Sequence, residues 1–129
     1  MENGGKRDCN LKVQMSKFCS WDDISPSVQN ACLAMTLPDG SMAEDALDAD
    51  WLVVLQQGRK TVAWAIVIHG VISGEHVSVI ELFVPTIYRR KGLASILVEE
   101  ARQDFDELHG FAHDKESRRF FLKLGVNVV

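Results

Sequence analysis

Three apolar, β-branched runs joined by short glycine-bearing links, then a switch to helical hydrophobic spacing, place this sequence in the α+β class. The expected architecture is a mostly antiparallel sheet flanked by helices. The runs cover residues 51–56, 61–69 and 77–84. The switch falls at Gly92, after which Leu93, Ile96, Leu97, Ala101, Phe105 and Leu108 recur at three- and four-residue steps. With 129 residues, 47% hydrophobic and 25% charged, the chain has the composition of one ordinary domain.

Residues 1–10 are polar and contain glycine, so they read as a flexible N-terminus ahead of a single domain over 11–129. Leu11, Val13 and Met15 alternate with Lys12 and Gln14, which predicts a short first strand. Residues 20–23 suggest a short helical turn. Ser25-Pro26 is a helix start, with Ser as cap and Pro in the first turn, and puts Val28, Cys32 and Met35 on one face. Pro38-Asp39-Gly40 breaks the chain. Ser41-x-x-Glu44 is a capping-box pattern that opens a second short helix over about residues 41–48. Glu44, Asp45, Asp48 and Asp50 make that segment acidic, as a solvated helix face commonly is.

The link at residues 57–60 is short enough for a hairpin, and the glycine-bearing stretch 70–76 predicts a second turn before the central strand. Trp64 sits within a continuous apolar run and reads as core. In the central strand the apolar positions shift from odd (Val77, Val79) to even (Ile80, Leu82, Val84). Either a β-bulge or burial on both faces gives that pattern. Gly110 suits the C-terminal end of the long helix, leaving Phe111-Ala112-His113 as a short fifth strand. Asp114 can cap a helix to about Leu124 that buries Phe120, Phe121 and Leu124, Gly125 closes it, and residues 126–129 form a last strand.

The net charge of −4 argues against general affinity for nucleic acid or anionic membrane. Cys9, Cys19 and Cys32 are an odd number without metal-type spacing, so they read as reduced thiols and no metal is expected. No apolar run approaches the roughly 20 residues needed to span a membrane. The polar start lacks the apolar core of a signal peptide. The expected compartment is the cytoplasm.

Against that acidic background, Arg89-Arg90-Lys91 immediately precedes Gly92 and the helix. A helix start offers unpaired backbone N–H groups and the positive end of the peptide dipole. Glycine lets an anion approach the backbone, and the basic residues add charge, so the stretch is a candidate phosphate cradle. Arg89-x-x-Gly92-x-Ala94 fits the Arg/Gln-x-x-Gly-x-Gly/Ala signature of the GNAT superfamily of N-acetyltransferases. LFVPTIYRRKGLASILVEEA resembles that superfamily's strand four, acyl-coenzyme A loop and following helix, and SRRFFLKLGV resembles its next helix and turn.

The resemblance implies a mixed sheet splayed between strands four and five, with a bulge in strand four and the pantetheine arm in the opening. It implies acetyl-CoA as co-substrate and a primary amine, of a small molecule or a protein, as acceptor. The backbone of Leu82, Phe83 and Val84 would contact the acyl carbonyl and arm. Arg89, Arg90, Lys91, Gly92, Leu93, Ala94 and Ser95 would hold the pyrophosphate, and Phe121 would stand at the cofactor. By the same resemblance the acidic segment at 44–50 could attract a cationic amine. Superfamily members commonly continue into a further strand beyond this sequence's last one. That leaves the acceptor pocket open, or completed by a second subunit in a homodimer.

Acyl transfer to an amine needs orientation, a donor for the carbonyl oxygen, and a group to take the ammonium proton. Glu81, a lone carboxylate in an apolar strand, and His113, at the end of strand five, are the catalytic candidates. Phe121 stands where many superfamily members place a tyrosine that protonates coenzyme A. That keeps open a non-catalytic module of the same fold, binding CoA or a partner protein. The absence of Gly-Lys-Ser/Thr and Gly-x-Gly-x-x-Gly argues against an unrelated nucleotide-binding domain.

Overall fold

The structure, a computed structural model, describes residues 12–36 and 41–129, with residues 41–44 described by their backbone alone. One six-stranded sheet runs in sequence order: β1 (Gln14–Phe18), β2 (Trp51–Gln57), β3 (Lys60–Ile72), β4 (Glu75–Phe83), β5 (Leu108–Gly110) and β6 (Asn127–Val128). β1 to β4 are antiparallel neighbours, whereas β4–β5 and β5–β6 pair in parallel. Parallel neighbours need a crossover. α3 (Leu93–Asp104) and α4 (Lys115–Lys123) supply the two crossovers, while α1 (Pro26–Leu33) and α2 (Ser41–Asp48) lie between β1 and β2. The expected mixed, mostly antiparallel α+β sheet is present.

The sheet is buried on both sides. Val53, Leu55, Ala65, Val67 and Ile80 pack with Leu93, Leu97, Val98 and Ala101 of α3 and Phe121 of α4. Leu52, Val54, Trp64, Ile66 and Phe83 pack with Cys32 of α1, Ala46 of α2, Trp21 and Ile24. Ser20 caps a 3-10 turn at Trp21–Asp23, its side chain accepting from the Asp22 N–H. Pro26 opens α1 as expected, and Val28 and Met35 join Cys32 in the second cluster. The chain break at 38–40 lies outside the described residues, as do the flexible N-terminus and Leu11; the Ser41 and Glu44 side chains are likewise not described.

Several boundaries differ from the sequence expectation, each for a physical reason. β1 begins at Gln14, three residues later than the alternating pattern. The second hairpin is longer than glycine content suggests: β3 continues through Gly70 to Ile72, and Ser73 and Gly74, at φ 52° and 83°, make the turn. Gly70 is an in-strand residue paired with Val77, and a Cβ there would meet Val79 Cγ2 at 3.2 Å. β4 has no bulge against β3. Their pairing runs without a shift from Trp64↔Phe83 to Ile72↔Glu75, and the irregularity lies instead at Leu55/Gln56 of β2. Burial on both faces accounts for the phase change in β4.

α3 ends at Asp104, not near Gly110. Asp104 accepts from Trp51 Nε1 at 2.8 Å and Lys17 Nζ at 2.7 Å, and Phe105 turns to extended backbone with its ring edge-on to Trp51. β5 therefore occupies Leu108–Gly110, three residues before the expected 111–113, and Gly110 is a strand residue. α4 starts where expected: the Asp114 carboxylate accepts from the Ser117 N–H at 2.8 Å, and the Ser117 hydroxyl answers the Asp114 N–H. Gly125, at φ 76°, closes it.

Candidate active site

β4 and β5 part company after three paired positions. Ser78, Val79 and Ile80 face Leu108, His109 and Gly110, the Phe111 N–H reaches the Ile80 carbonyl at 2.9 Å, and there the ladder stops. β4 runs on to Phe83, still paired with β3 but with no strand on the β5 side. N–H and C=O groups of one residue point to the same side of a strand, and the side alternates. Because the Ile80 carbonyl is turned toward β5, the N–H and C=O of Leu82 project into the open gap. The splay expected between strands four and five is therefore formed, by divergence of β5 and without a bulge.

Below the gap lies the stretch expected to cradle an anion. Pro85 leads into a 3-10 turn at Thr86–Tyr88, Arg90 takes a left-handed φ of 63°, and Gly92, the N-cap of α3, takes 84°. Left-handed backbone is costly for a residue with a Cβ, which makes glycine the natural occupant of the second position. The first intrahelical bond here joins the Ile96 N–H to the Gly92 carbonyl, so Leu93, Ala94 and Ser95 present N–H groups with no partner in the helix. Arg89 braces the rim, its Nε donating to the Val84 carbonyl at 3.1 Å and its Nη1 to Glu116 Oε1 at 2.7 Å.

These elements enclose one cavity of about 390 Å³. It gathers Leu82, Val84, Arg89, Arg90, Gly92, Leu93, Ala94, Ser95 and His113 from the sequence-derived candidates, and adds Tyr88, Asp114, Glu116, Ser117 and Phe120. The added residues come mostly from the start of α4, which ends up beside the start of α3 because both helices follow parallel strands at the same end of the sheet. Asp114 as a helix cap was the only signal pointing to that convergence. An apolar wall of Leu82, Val84 and Phe120 leading to arginines and free N–H groups suits a ligand with an uncharged arm and an anionic head.

Four candidates stand elsewhere. Lys91 is outside the cavity lining. Phe83 faces the opposite side of β4 and stacks on Trp64, with ring centroids 4.5 Å apart. Phe121 is fully buried in the first core cluster, its ring against Gly110. Glu81 shares Phe83's face and is only 2% exposed. Burial first, and then the neighbouring Asp45 carboxylate of α2, push its carboxyl up to about 8. Its Oε2 has no partner among the described residues.

His113 lines the cavity from the bend between β5 and α4. Its ring lies edge-on to Phe111, centroids 4.9 Å apart, and 6.0 Å from Phe83. Desolvation lowers its pKa below the usual 6.5, partly offset by Asp114. Asp114 is itself held low, mainly by the Ser117 backbone and hydroxyl. Among the described residues no cluster of His, Cys, Asp and Glu side chains is placed to hold a metal ion, and no helix is long and apolar enough to cross a membrane.

An antiparallel sheet that turns parallel at a splayed pair, with a glycine-capped helix start under the opening, is the arrangement of the GNAT fold. Residues 20–126 match the family model described as the acetyltransferase (GNAT) family, and the chain belongs to that family. No curated protein matches it. Among solved structures, a GNAT family acetyltransferase from Streptococcus pneumoniae is similar at 18% identity, with a TM-score of 0.64 over 90% of this chain and 88% of that one. The aminoglycoside N-acetyltransferase AAC(6')-Iy, in complex with CoA, is similar at 15% identity, TM-score 0.62, with 90% and 88% covered. A ribosomal-protein-alanine N-acetyltransferase from Brucella melitensis biovar Abortus is similar at 16% identity, TM-score 0.55, with 88% and 90% covered.

Proposed function

We propose that the protein transfers an acetyl group from acetyl-CoA to a primary amine by direct attack of the amine on the thioester carbonyl. The observation that carries this reading is the cavity joining the unpaired edge of β4 to the glycine-capped start of α3. The N–H groups from Arg90 to Ser95, with Arg89, Arg90 and nearby Lys91, are the anchor for a pyrophosphate. The edge of β4 from Leu82 through Phe83 to Val84 receives the uncharged arm, and Phe121 supports that region from within the core. The Leu82 N–H, with no strand opposite, is the donor for the carbonyl oxygen as charge develops on it. Of the two ionisable candidates, Glu81 holds its proton at neutral pH while His113 is neutral and open to the cavity.

A small-molecule or protein amine in the cytoplasm is the acceptor class this reading takes. The acetyltransferases similar in fold are named for an aminoglycoside in one case and a ribosomal protein in another. A second reading, a module of this fold that binds CoA or a partner protein without turnover, rests on Phe121, which has no proton to give a departing thiolate.

The test is calorimetric titration of the full chain with acetyl-CoA and with CoA, beside Gly92→Val, followed by mass detection of acetylated products from an amine panel. Binding by the parent, loss of binding in a folded Gly92→Val, and any acetylated amine support the transferase. Binding without product from any amine favours the module. Absence of binding to both compounds sinks both readings.

A further inference from the structure

Phe121 is buried and carries no hydroxyl, and the cavity's one phenol, Tyr88, stands on the loop side after β4. The imidazole of His113 lines the cavity from the segment that follows β5 as it diverges from β4. It borders Leu82 and Val84 on the cofactor side of β4 and packs toward Phe83, whose side chain belongs to the opposite face. A ring that borders the cavity and lies 6.0 Å from a side chain of the opposite face stands between a thioester held in the cavity and an amine arriving from the far side. Resting on the acyl-transfer reading above, we infer that His113 is the proton relay of the reaction, taking the proton the attacking amine sheds and handing it to the departing sulfur.

The step balances within one imidazole. The amine nitrogen bonds to the carbonyl carbon and its surplus proton moves to an imidazole nitrogen. As the carbon–sulfur bond breaks, the bonding pair leaves with sulfur, and the same imidazole supplies the proton that completes the thiol. No oxidant or reductant enters, and His113 ends as it began. A relay must begin unprotonated, and partial burial of the ring favours the neutral form.

The charges around the ring can be named. Tyr88, Arg89 and Arg90 face the cavity from the loop, and Asp114 and Glu116 from α4. Arg89 is paired with Glu116, while Asp114, though engaged by Ser117, keeps its charge and only partly offsets the desolvation of His113. From β4 the nearest ionisable group in sequence is Glu81, on Phe83's face and neutral until about pH 8.

The test uses CoA itself as probe. The pH at which the bound thiol ionises is followed by the ultraviolet absorbance of the thiolate in the parent, His113→Gln and His113→Phe, and the His113 ring nitrogens of the parent are followed by NMR. An imidazole beside the sulfur stabilises the thiolate, so the parent thiol should ionise at a pH lower by about 1 or more than in His113→Phe, and the ring resonances should move when CoA binds. With an amine that the panel has shown to be acetylated, kcat should fall about 10²–10⁴-fold in His113→Phe with little change in KM. Bound CoA whose thiol ionises alike in all three proteins, with unmoved ring resonances, overturns the relay and leaves acyl transfer standing. Failure of CoA to bind the parent overturns both. Should the variants not fold, the parent's ring resonances decide.

Discussion

The ring of Phe121 lies so close beneath Gly110 that a Cβ on the glycine would sit 2.5 Å from its carbons. α4 is thereby pressed against β5, the strand whose divergence opens the gap. Gly110→Ala should cost about 1–3 kcal/mol through overpacking, and Phe121→Ala about 3–5 kcal/mol through the cavity it leaves. Chemical denaturation of each variant measures this. Phe121→Leu combined with Gly110→Ala should recover part of the loss, and a strictly additive double variant would refute the contact.

Glu81 gives stability a pH slope of unusual sign for a carboxylate. Its folded pKa, about 8, exceeds that of an unfolded glutamate. The folded state therefore binds the extra proton between the two values, and its contribution is complete below the unfolded pKa and disappears as pH rises toward and through 8. Glu81→Gln, which is neutral throughout, should flatten the decline in melting temperature from mildly acid to alkaline pH. An identical slope in both proteins would show the carboxylate to be solvated.

At the C-terminal end of α3 the sign is reversed. Lys17, and then Trp51, hold Asp104 below the usual carboxylate range. Its stabilising effect is present above the unfolded pKa and is lost as pH falls through the folded one. Asp104→Asn should lower the melting temperature at neutral pH, and the deficit should fade in strong acid. Because the group is exposed, added salt should also shrink it.

Two cysteines differ sharply in environment. Cys19 is exposed, whereas Cys32 lies in the second core cluster with its thiol pushed up to about 12 by burial. Thiolate is the reactive form. In a Cys9→Ser background, a thiol reagent should label one site promptly and the other only on unfolding. Rapid double labelling of the folded protein would contradict the packing of α1.

The glycine-capped start of α3 was legible because its parts are contiguous: three basic residues, a glycine and a change of hydrophobic period fall within a few positions of one another. The meander was legible for a similar reason, since β2, β3 and β4 are successive runs. Features set by contacts distant in sequence were not. Gly110 reads as a helix end until Phe121 is placed beneath it. Glu81 reads as an available base until Asp45 and the second core cluster enclose it. The bulge suggested by β4 dissolved because the sheet is covered on both sides, which periodicity cannot tell from a register shift. Tyr88, Ser117 and Phe120 became cavity residues only when two helix starts met.

The cavity draws its walls from the antiparallel half of the sheet through β4 and from the parallel half through α3 and α4. A molecule lodged there works as a cross-brace between the two. At 100 times its dissociation constant it would add about 2.7 kcal/mol to the free energy of unfolding. For a domain of this size that is a substantial share of the whole. Resistance to heat is thus a direct gauge of occupancy, and a rise in melting temperature will single out any candidate acyl carrier or amine that lodges in the cavity, before any product is sought.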